Sequence, residues 1–417
     1  MIRRRTVLAA PLALAVGCGV TGPVRVAVTW SGWELARFRA VLDVFETESG
    51  LSTEVVPLGD DISAVLGSRR GGAVDVVMLP QIGAVRQNGA QLAPLDAFVP
   101  IGRFPVAWRD IVTLDGAVRG IPFKIANKSV VWYRKDVFDR FGEKPPERWT
   151  DWLALNARLA DRGVAPLALG GADGWILSDF FENVLHAGDD QAYRALVENP
   201  TGWTRREVVR AFQEVGRMWA PPGTLSGGAD GALLTQGDGA VVDHFLPGRA
   251  AMVAGADFTY PVIARHAEPG LPAGWLDWFH FPSRDDNHHR APKVGADIVV
   301  VPAPATEGAL ALARWLAQAK AQRIWAGEGG MLSVHVGVDQ SAYPNARVAD
   351  LAAEVRHAEG ALVYDLADQL GAIGDGLRRV LQDFLRVVGG NPSGVDTAAE
   401  DAAARMERIA AGVRREH

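Results

Sequence analysis

Short β-branched runs alternate with an amphipathic helical segment between residues 24 and 80, and this alternation restricts the folds available to the chain. Apolar residues recur at helical spacing in the intervening segment, which stops at Gly50. Strands that alternate with helices favour a largely parallel sheet. The predicted strands are 24–29, 53–56 and 74–79, and the predicted helices are 34–48 and 61–68, the latter capped by Asp60.

The loops after the first and third predicted strands are candidate ligand positions. Ligands of parallel sheets bind beyond the carboxyl ends of the strands. This rule indicates Trp30 and the residues up to Glu34 after the first strand, and Gln81 after the third.

The later sequence predicts a second lobe inserted into the first. Strand-like segments at 120–124 and 129–133 indicate a crossing, and strands at 276–281 and 294–301 flank a polar turn that indicates the return. The glycine-rich stretch 223–239 predicts a surface loop. The predicted helices are 135–141, 150–161 with Thr150 as cap, 178–186, 205–219, 307–317, 319–326, 345–357, 377–388 and 395–411. The expected architecture is α/β, with one lobe formed by 24–123 plus 283–335 and the other by 124–282 plus 336–417.

The first residues have the pattern of an export signal. A basic start precedes an apolar run of about 10 residues, whereas a membrane span needs ~20. We therefore expect 1–17 to be a signal peptide, with a retained transmembrane helix as the alternative. Arg4-Arg5 also fits a twin-arginine signal, so the export route stays open.

Cys18 is the only cysteine, which excludes an internal disulfide and a cysteine-rich metal site. Ala15-Val16-Gly17-Cys18 resembles a bacterial lipobox, with Ala15 where Leu is usual. The resemblance implies lipidation of Cys18, with 18–23 as a tether to the membrane. The alternative is an inert apolar cysteine.

Charge and composition exclude several classes of protein. The chain has 43 Lys+Arg and 49 Asp+Glu; without the three arginines of the signal, 40 basic residues face 49 acidic ones, a net charge of −9. This balance argues against nucleic acid as a partner. Apolar residues at 48% exclude a disordered chain. Phosphate-loop, serine-hydrolase and zincin motifs do not occur, and Asp285 to His289 fits a solvated loop better than a metal site.

Tryptophan is abundant, with 13 Trp against 5 Tyr. The C–H face of a sugar ring packs on indole, while its hydroxyls need polar partners. Trp30, Trp33 and Trp175 lie in loops that contain glycine, where ligand stacking and local packing are both open interpretations. The tryptophans on amphipathic helices are predicted to be core residues: Trp149, Trp152, Trp219, Trp315 and Trp325.

Polar candidates complete the predicted site. Asp179 and Glu182 share a helix face and could form a polar rim, although an acidic helix start is the alternative. Lys124 and Asn127 lie at the first crossing. Asp297 interrupts an apolar strand and therefore needs a partner or a ligand.

The order of these motifs resembles that of extracellular solute-binding lipoproteins, family 1, of bacterial ABC sugar importers. The motifs that carry the resemblance are Trp30-Ser31-Gly32, Leu79-Pro80-Gln81, Gly120-Ile121-Pro122-Phe123-Lys124, Gly174-Trp175, Gly248-Arg249-Ala250-Ala251-Met252 and Gly295-Ala296-Asp297. The resemblance implies a type II periplasmic-binding-protein fold, two α/β lobes joined by a hinge with a ligand cleft between them.

The resemblance also implies a function without catalysis, cofactor or metal. A monomer anchored to the outer face of the cell membrane would capture a sugar and deliver it to permease subunits. Family members place ligand contacts after the first and third strands, at the crossing and on the opposite lobe. Carried onto this chain, the implied ligand-binding residues are Trp30, Trp33, Gln81, Lys124, Asn127, Trp175, Asp179, Glu182, Asp257 and Asp297. Asp365 and Asp368 resemble an acidic pair of the family and are expected to be structural.

Two alternatives come from other classes. An exported glycoside hydrolase could use Asp179 or Glu182, but it would need a second acid, such as Asp297, ~5 to 9.5 Å away across the scissile bond. A structural surface lipoprotein would bind no solute.

Overall fold

The computed structural model describes residues 22–59, 62, 64–67, 74–272, 274–284, 291–358 and 362–416. The predicted signal, Cys18, the Asp60 cap and the segment from Asp285 to His289 lie outside the described residues. No helix in the described ranges is long and apolar enough to cross a membrane.

The strands and helices alternate as the sequence predicts. The strands are β1 (Val24–Val28), β2 (Thr53–Pro57), β3 (Val76–Leu79), β4 (Thr113–Leu114), β5 (Ala117–Val118), β6 (Ile121–Asn127), β7 (Val130–Arg134), β8 (Ala165–Ala168), β9 (Ala250–Ala254), β10 (Leu276–His280), β11 (Lys293–Val300) and β12 (Val363–Tyr364). The helices are α1 (Gly32–Ser49), α2 (Ala64–Gly67), α3 (Ile82–Gln87), α4 (Val106–Asp110), α5 (Lys135–Phe141), α6 (Trp149–Asp161), α7 (Trp175–Gly188), α8 (Asp190–Glu198), α9 (Arg206–Trp219), α10 (Gly228–Leu234), α11 (Gly237–Gly239), α12 (Thr259–His266), α13 (Glu307–Leu316), α14 (Ala319–Ala326), α15 (Ala346–His357), α16 (Leu366–Leu370), α17 (Ala372–Val388) and α18 (Val395–Glu416).

The first lobe is built on a mixed sheet with the order β2-β1-β3-β11-β12, and β6 also pairs with β11. β1 is parallel to β2 and β3, so the loops after β1 and β3 emerge at the same edge. β11 runs antiparallel to both β3 and β6. This strand enters from the second lobe and therefore ties the two halves of the molecule together.

The second lobe is built on a sheet with the order β10-β7-β9-β8. β7 is antiparallel to β10 and β9, whereas β8 is parallel to β9. Helices cover one face of this sheet, with Trp152 and Phe180 among its fully buried side chains. The other face, including Trp132, joins the core of the first lobe. The five tryptophans predicted to be core residues are all buried, so that prediction is confirmed.

The lobes exchange chain at different positions from those expected. β6 continues to Asn127, so the first crossing is at 128–129 rather than after residue 123. α15 packs with the core of the first lobe, because its apolar side chains, Leu351 among them, face that cluster. The predicted boundary at 335/336 therefore precedes the third crossing, which lies at 362–366, where the packing changes from the first cluster to the second.

Two local predictions are wrong. The stretch 223–239 contains α10 and α11 and leads into a π-helical segment, Ala240–Phe245, because its alanines and leucines give it a side that packs on the second lobe. Thr150 is not a cap, since α6 begins at Trp149 and Arg148 occupies the cap position.

Candidate ligand cleft between the lobes

A cleft of about 990 Å³ lies between the lobes. The segments after β1 and β3 line it together with β6 and β11, and the opposite wall is formed by the start of α7, by α11, by α12 and by α16–α17. Its volume is at the upper end of the roughly 300–1,000 Å³ typical of small-molecule sites. Six sequence-predicted residues lie on its walls: Trp30, Trp33, Gln81, Lys124, Trp175 and Asp297.

The first-lobe tryptophans are held by packing. Trp30 is only 4% exposed and meets Trp325 edge-on, with ring centroids 4.7 Å apart. Trp33 lies in the first turn of α1, where an added Cβ on Gly330 would come within 2.6 Å of its ring. Because Gly330 also has φ +77°, only glycine fits there without strain. Trp30 therefore presents part of its ring to the cleft, and the half-buried Trp33 presents more.

Aromatic side chains also face the cleft from the second lobe. Trp175 opens α7 after Gly174, whose φ of 76° turns the chain into the helix. Its ring centroid lies 5.6 Å from that of Phe258, which sequence reasoning missed. The only sequence signal for Phe258 was its position shortly after an apolar strand, β9. Apolar rings thus face the cleft from both lobes.

Lys124 is a buried cation at the base of the cleft. Its Nζ lies 3.1 Å from Glu34 Oε1 and 3.4 Å from Asp297 Oδ2. Phe258 and Trp30 surround the same ammonium, at 5.3 and 5.9 Å from their ring centroids. Burial lowers the pKa of Lys124, but the charges of Glu34 and Asp297 outweigh it and raise the pKa above its ordinary value.

Asp297 finds its partner inside the protein. It pairs across the strands with Lys124, at a shift of the β11–β6 register. Burial raises the pKa of Asp297, while the Lys124 charge opposes that rise. The interruption of an apolar strand is therefore explained by an ion pair whose members also line the cleft.

The structure does not bring Asn127 and Asp257 to the cleft wall. Asn127 is fully buried, and its Nδ2 donates to Glu354 Oε2 at 3.0 Å. Its backbone N–H donates to Asp257 Oδ1 at 2.7 Å. Burial raises the pKa of Asp257 to about 7. Since both side chains are enclosed and bonded internally, they join β6 to the segment after β9 instead of contacting a ligand.

Asp179 and Glu182 do not form a polar rim either. Glu182 is fully buried and accepts from the backbone N–H groups of Leu366 and Ala367 at 2.8 and 3.1 Å. Lys293 Nζ lies 2.5 Å from Asp179 Oδ1 and 3.1 Å from Glu182 Oε2. Both acids belong to a buried group, here called the interlobe cluster, that consists of Lys128, Asp179, Glu182, Lys293, Asp365, Asp368 and Arg378.

A cation already occupies the centre of this cluster. Oxygen atoms of Asp179, Glu182 and Asp365 lie within 4.8 Å of one another, as they would around a metal ion. Lys293 Nζ contacts all three carboxylates and takes the position such an ion would need. Glu182 and Asp179 are also the acids that the hydrolase alternative requires, and here they are engaged by a lysine behind the cleft wall.

The wall formed by α16 and α17 was missed by sequence reasoning. Arg378 pairs with Asp368 and with Asp375, at 3.1 Å in each case. Arg379 and Gln382 lie on the same wall. No sequence signal indicated this surface, because its place opposite β1 and β3 depends on the third crossing.

Comparisons with known proteins agree with this geometry. Residues 57–323, more than half of the chain, match the family described as bacterial extracellular solute-binding protein. The osmoprotective compounds-binding protein GgtB of Synechocystis sp. is 27% identical over 365 residues, covering 83% of this chain and 84% of GgtB. The alpha-glucosides-binding periplasmic protein AglE of Rhizobium meliloti is 25% identical over 340 residues, 76% of this chain and 73% of AglE.

The fold is shared with solved structures. The bacterial solute receptor AcbH, described as having an exclusive preference for β-D-galactopyranose, superposes with a TM-score of 0.75 at 19% identity, over 93% of this chain and 99% of AcbH. Likeness at that identity establishes the fold alone, and it confirms the predicted two-lobed type II architecture. The profile match, the shared fold and a cleft lined from both lobes lead to one conclusion: the chain belongs to the bacterial extracellular solute-binding protein family.

Proposed function

We propose that the protein captures a sugar or oligosaccharide in the interlobe cleft and delivers it to the permease subunits of an ABC importer. The observation that carries the proposal is a cleft of about 990 Å³ with aromatic rings on both walls, Trp33 on one side and Trp175 with Phe258 on the other. Rings on two walls can hold the faces of a sugar, while Gln81 and Lys124 supply polar partners for its hydroxyls. The name of AglE, an alpha-glucosides-binding protein, and the description of AcbH as a receptor for β-D-galactopyranose support this ligand class.

Capture requires that the lobes close around the ligand. A ligand shifts such an equilibrium only when it binds the closed form better than the open one. Moving the population from 1:99 to 99:1 takes about 5.5 kcal/mol of differential affinity. Ligand contacts to a single wall are the same in the open and closed forms and give no difference in affinity. Only the closed form lets both walls contact the ligand at once, so contacts from both walls provide this difference.

We also propose that the protein is exported and held at the outer face of the membrane as a monomeric lipoprotein. The lipobox-like sequence ending at Cys18 supports an anchor. Two acyl chains give the stable attachment that one chain does not. Tethering keeps the protein near the permease and leaves both lobes free to move.

A thermal-shift screen tests the ligand class. The panel contains glucose, galactose, maltose, trehalose and raffinose, with amino acids and glycine betaine as non-sugar solutes. We expect at least one saccharide to raise Tm in a dose-dependent manner, since ligand at 100 times its Kd stabilises by about 2.7 kcal/mol. A shift with a non-sugar solute alone would contradict the sugar assignment, and no shift with any solute would favour a structural lipoprotein.

A second assay separates binding from hydrolysis. Chromogenic α- and β-glycosides are incubated with the protein, and release of the chromophore is followed. We expect no release above that of a heat-denatured sample. Steady turnover would instead support the hydrolase and would require acids other than the enclosed Asp179 and Glu182.

A further inference from the structure

In the part of the chain that the structure describes, three crossings between the lobes lie side by side. The backbone N–H of Lys128 in the first crossing donates to the carbonyl of Lys293 at 2.8 Å, and the N–H of Lys293 donates to Ser129 Oγ at 2.6 Å. Asp365 in the third crossing donates its N–H to the carbonyl of Val294 at 3.0 Å. Any bending of one crossing therefore acts on the other two.

Each crossing contributes a charged side chain to the interlobe cluster. Lys128 lies in the first crossing, and Lys293, the first residue of β11, ends the second crossing. Their Nζ atoms lie 2.7 and 3.0 Å from Asp365 Oδ2 in the third. Asp179 and Glu182 of α7 approach from within the second lobe. The hinge thus has a charged core in place of an apolar one.

The cluster contains more carboxylates than cations. Its cations are Lys128, Lys293 and Arg378, whereas its acids are Asp179, Glu182, Asp365 and Asp368. With every group ionised, one negative charge would be left without a partner in a largely buried site, which is costly. A single proton shared among the acids removes that charge.

The surroundings favour Glu182 and Asp368 as holders of that proton. Burial and the nearby Asp365 raise the pKa of Glu182 to about 7, and the same two causes raise that of Asp368 to about 6. Burial raises the pKa of Asp179 as well. Burial would also raise the pKa of Asp365, but Lys128 and Lys293 outweigh it and hold that pKa well below its ordinary value.

Among the described residues, the titratable groups of neighbouring elements that contact the cluster add no cation. Tyr193 of α8 donates its hydroxyl to Glu182 at 3.0 Å, and burial beside that acid raises the phenol pKa well above its ordinary value. On α17, Asp375 adds a further acid beside Arg378, at 3.1 Å. The N–H groups of Leu366 and Ala367 stabilise Glu182 only through dipoles.

We propose that the interlobe cluster is a proton-responsive hinge, in which loss of the shared proton shifts the ligand-free protein towards the open form. Lys128, Asp368 and Arg378 belong to the cluster and also line the cleft. Opening brings water to this face, and water stabilises an unpaired charge that the closed form leaves desolvated. The proposal goes beyond sugar capture and holds whatever solute the cleft accepts.

Small-angle X-ray scattering of the ligand-free protein between pH 5.5 and 8.5 tests this hinge. We expect the radius of gyration to increase with pH, with a midpoint near 7, the pKa of Glu182. In Glu182→Gln the interlobe cluster itself keeps three acids and three cations, so the radius should stay at its low-pH value throughout. Asp368→Asn removes one carboxylate from the more accessible edge of the cluster and should have the same effect. This second variant allows the measurement to be made if Glu182→Gln does not fold.

Asp257→Asn is the matched comparison, because Asp257 is a second buried acid with a pKa of about 7 but lies outside the cluster. We expect this variant to keep the wild-type pH dependence. A radius that does not change with pH in the wild type overturns the proposal. So does a transition that persists in both cluster variants, or one that disappears only in Asp257→Asn. Because no ligand is present, none of these outcomes depends on the identity of the solute.

Discussion

Lys293 and Trp175 have different roles, one as a buried cation in the hinge and the other as an aromatic ring in the cleft wall. Lys293 is completely buried among three acids from α7 and the third crossing, so its charge holds the hinge together. Trp175 is half-buried, and its ring is one of the cleft walls. The first residue should therefore govern stability and the second ligand affinity.

Lys293→Met tests the role of the buried ammonium. Removing it leaves Asp179, Glu182 and Asp365 without their shared partner, and breaking a buried ion pair in this way costs about 3–5 kcal/mol. The free energy of unfolding from urea titration should fall by that amount. Lys135→Met removes a lysine from an exposed pair with Asp139 and should change it by less than about 1 kcal/mol. Equal losses in the two variants would contradict the role assigned to Lys293.

Trp175→Ala tests the aromatic wall. We expect calorimetric titration with the saccharide found in the screen to show at least about tenfold weaker binding, or 1.4 kcal/mol, with little change in stability. Trp278→Ala, which truncates a half-buried tryptophan on β10 away from the cleft lining, is the matched control and should bind normally. Unchanged affinity in Trp175→Ala would remove this ring from the site.

At the scale of elements, the contact between Asp257 and Asn127 joins β6 to the segment after β9. Asp257 accepts from the Asn127 N–H, and its own N–H donates back to the Asn127 carbonyl at 3.1 Å. The second carboxylate oxygen, Oδ2, is buried and accepts no hydrogen bond from the described residues. An ionised Asp257 is therefore unfavourable here, which makes this junction sensitive to pH.

The stability of Asp257→Asn, compared with that of the wild type, should increase as pH rises. The folded-state pKa of about 7 exceeds the ordinary 3.8, so the contribution of Asp257 to stability is complete below pH ~4 and is lost as pH rises through 7. Asparagine keeps an acceptor for the Asn127 N–H and cannot ionise. Urea unfolding at pH 5 and pH 8 should show the variant gaining on the wild type by at least about 1 kcal/mol, at 1.36 kcal/mol per pKa unit. Asp139→Asn, on the exposed surface, should show no such gain.

The sequence was informative about the helices and strands themselves, and less informative about which other segments they contact in the fold. Periodicity was sufficient to predict most strands and helices, because their apolar residues recur at the spacing of a buried face. It could indicate that Asp179 and Glu182 share a face of α7, but not that Lys293 lies opposite, since the two segments meet only through long-range packing. The same limit explains why the α16–α17 wall was missed and why α15 was assigned to the other lobe.

At the scale of the whole molecule, the two lobes and the motif order were predictable because they depend on the succession of segments along the chain. The crossings were misplaced by a few residues at the first and by about 30 at the third, counting from 335/336 to 362–366. A crossing has no periodic sequence pattern of its own. Its position can be assigned only when it is known in which hydrophobic core each neighbouring helix packs.

The proposed anchor also concerns the whole molecule. Cys18→Ser removes the thiol that would carry the lipid, so the variant should lose incorporation of a labelled fatty acid and move from the membrane fraction to the soluble one. Ala15→Leu, which restores the usual lipobox residue, should keep both properties. A wild-type protein that incorporates no fatty acid would rule out the lipidated tether.

The antiparallel strand β11 has a consequence for the order in which the chain takes shape. β3 ends at residue 79, yet β11, which pairs with one of its edges, begins at residue 293. β6 also pairs with β11. As the polypeptide emerges amino end first, the earlier sheet keeps an open edge until more than 200 further residues have followed. Contacts at such sequence separation form slowly. The first lobe of a nascent chain therefore completes its sheet only after β11 has been synthesised.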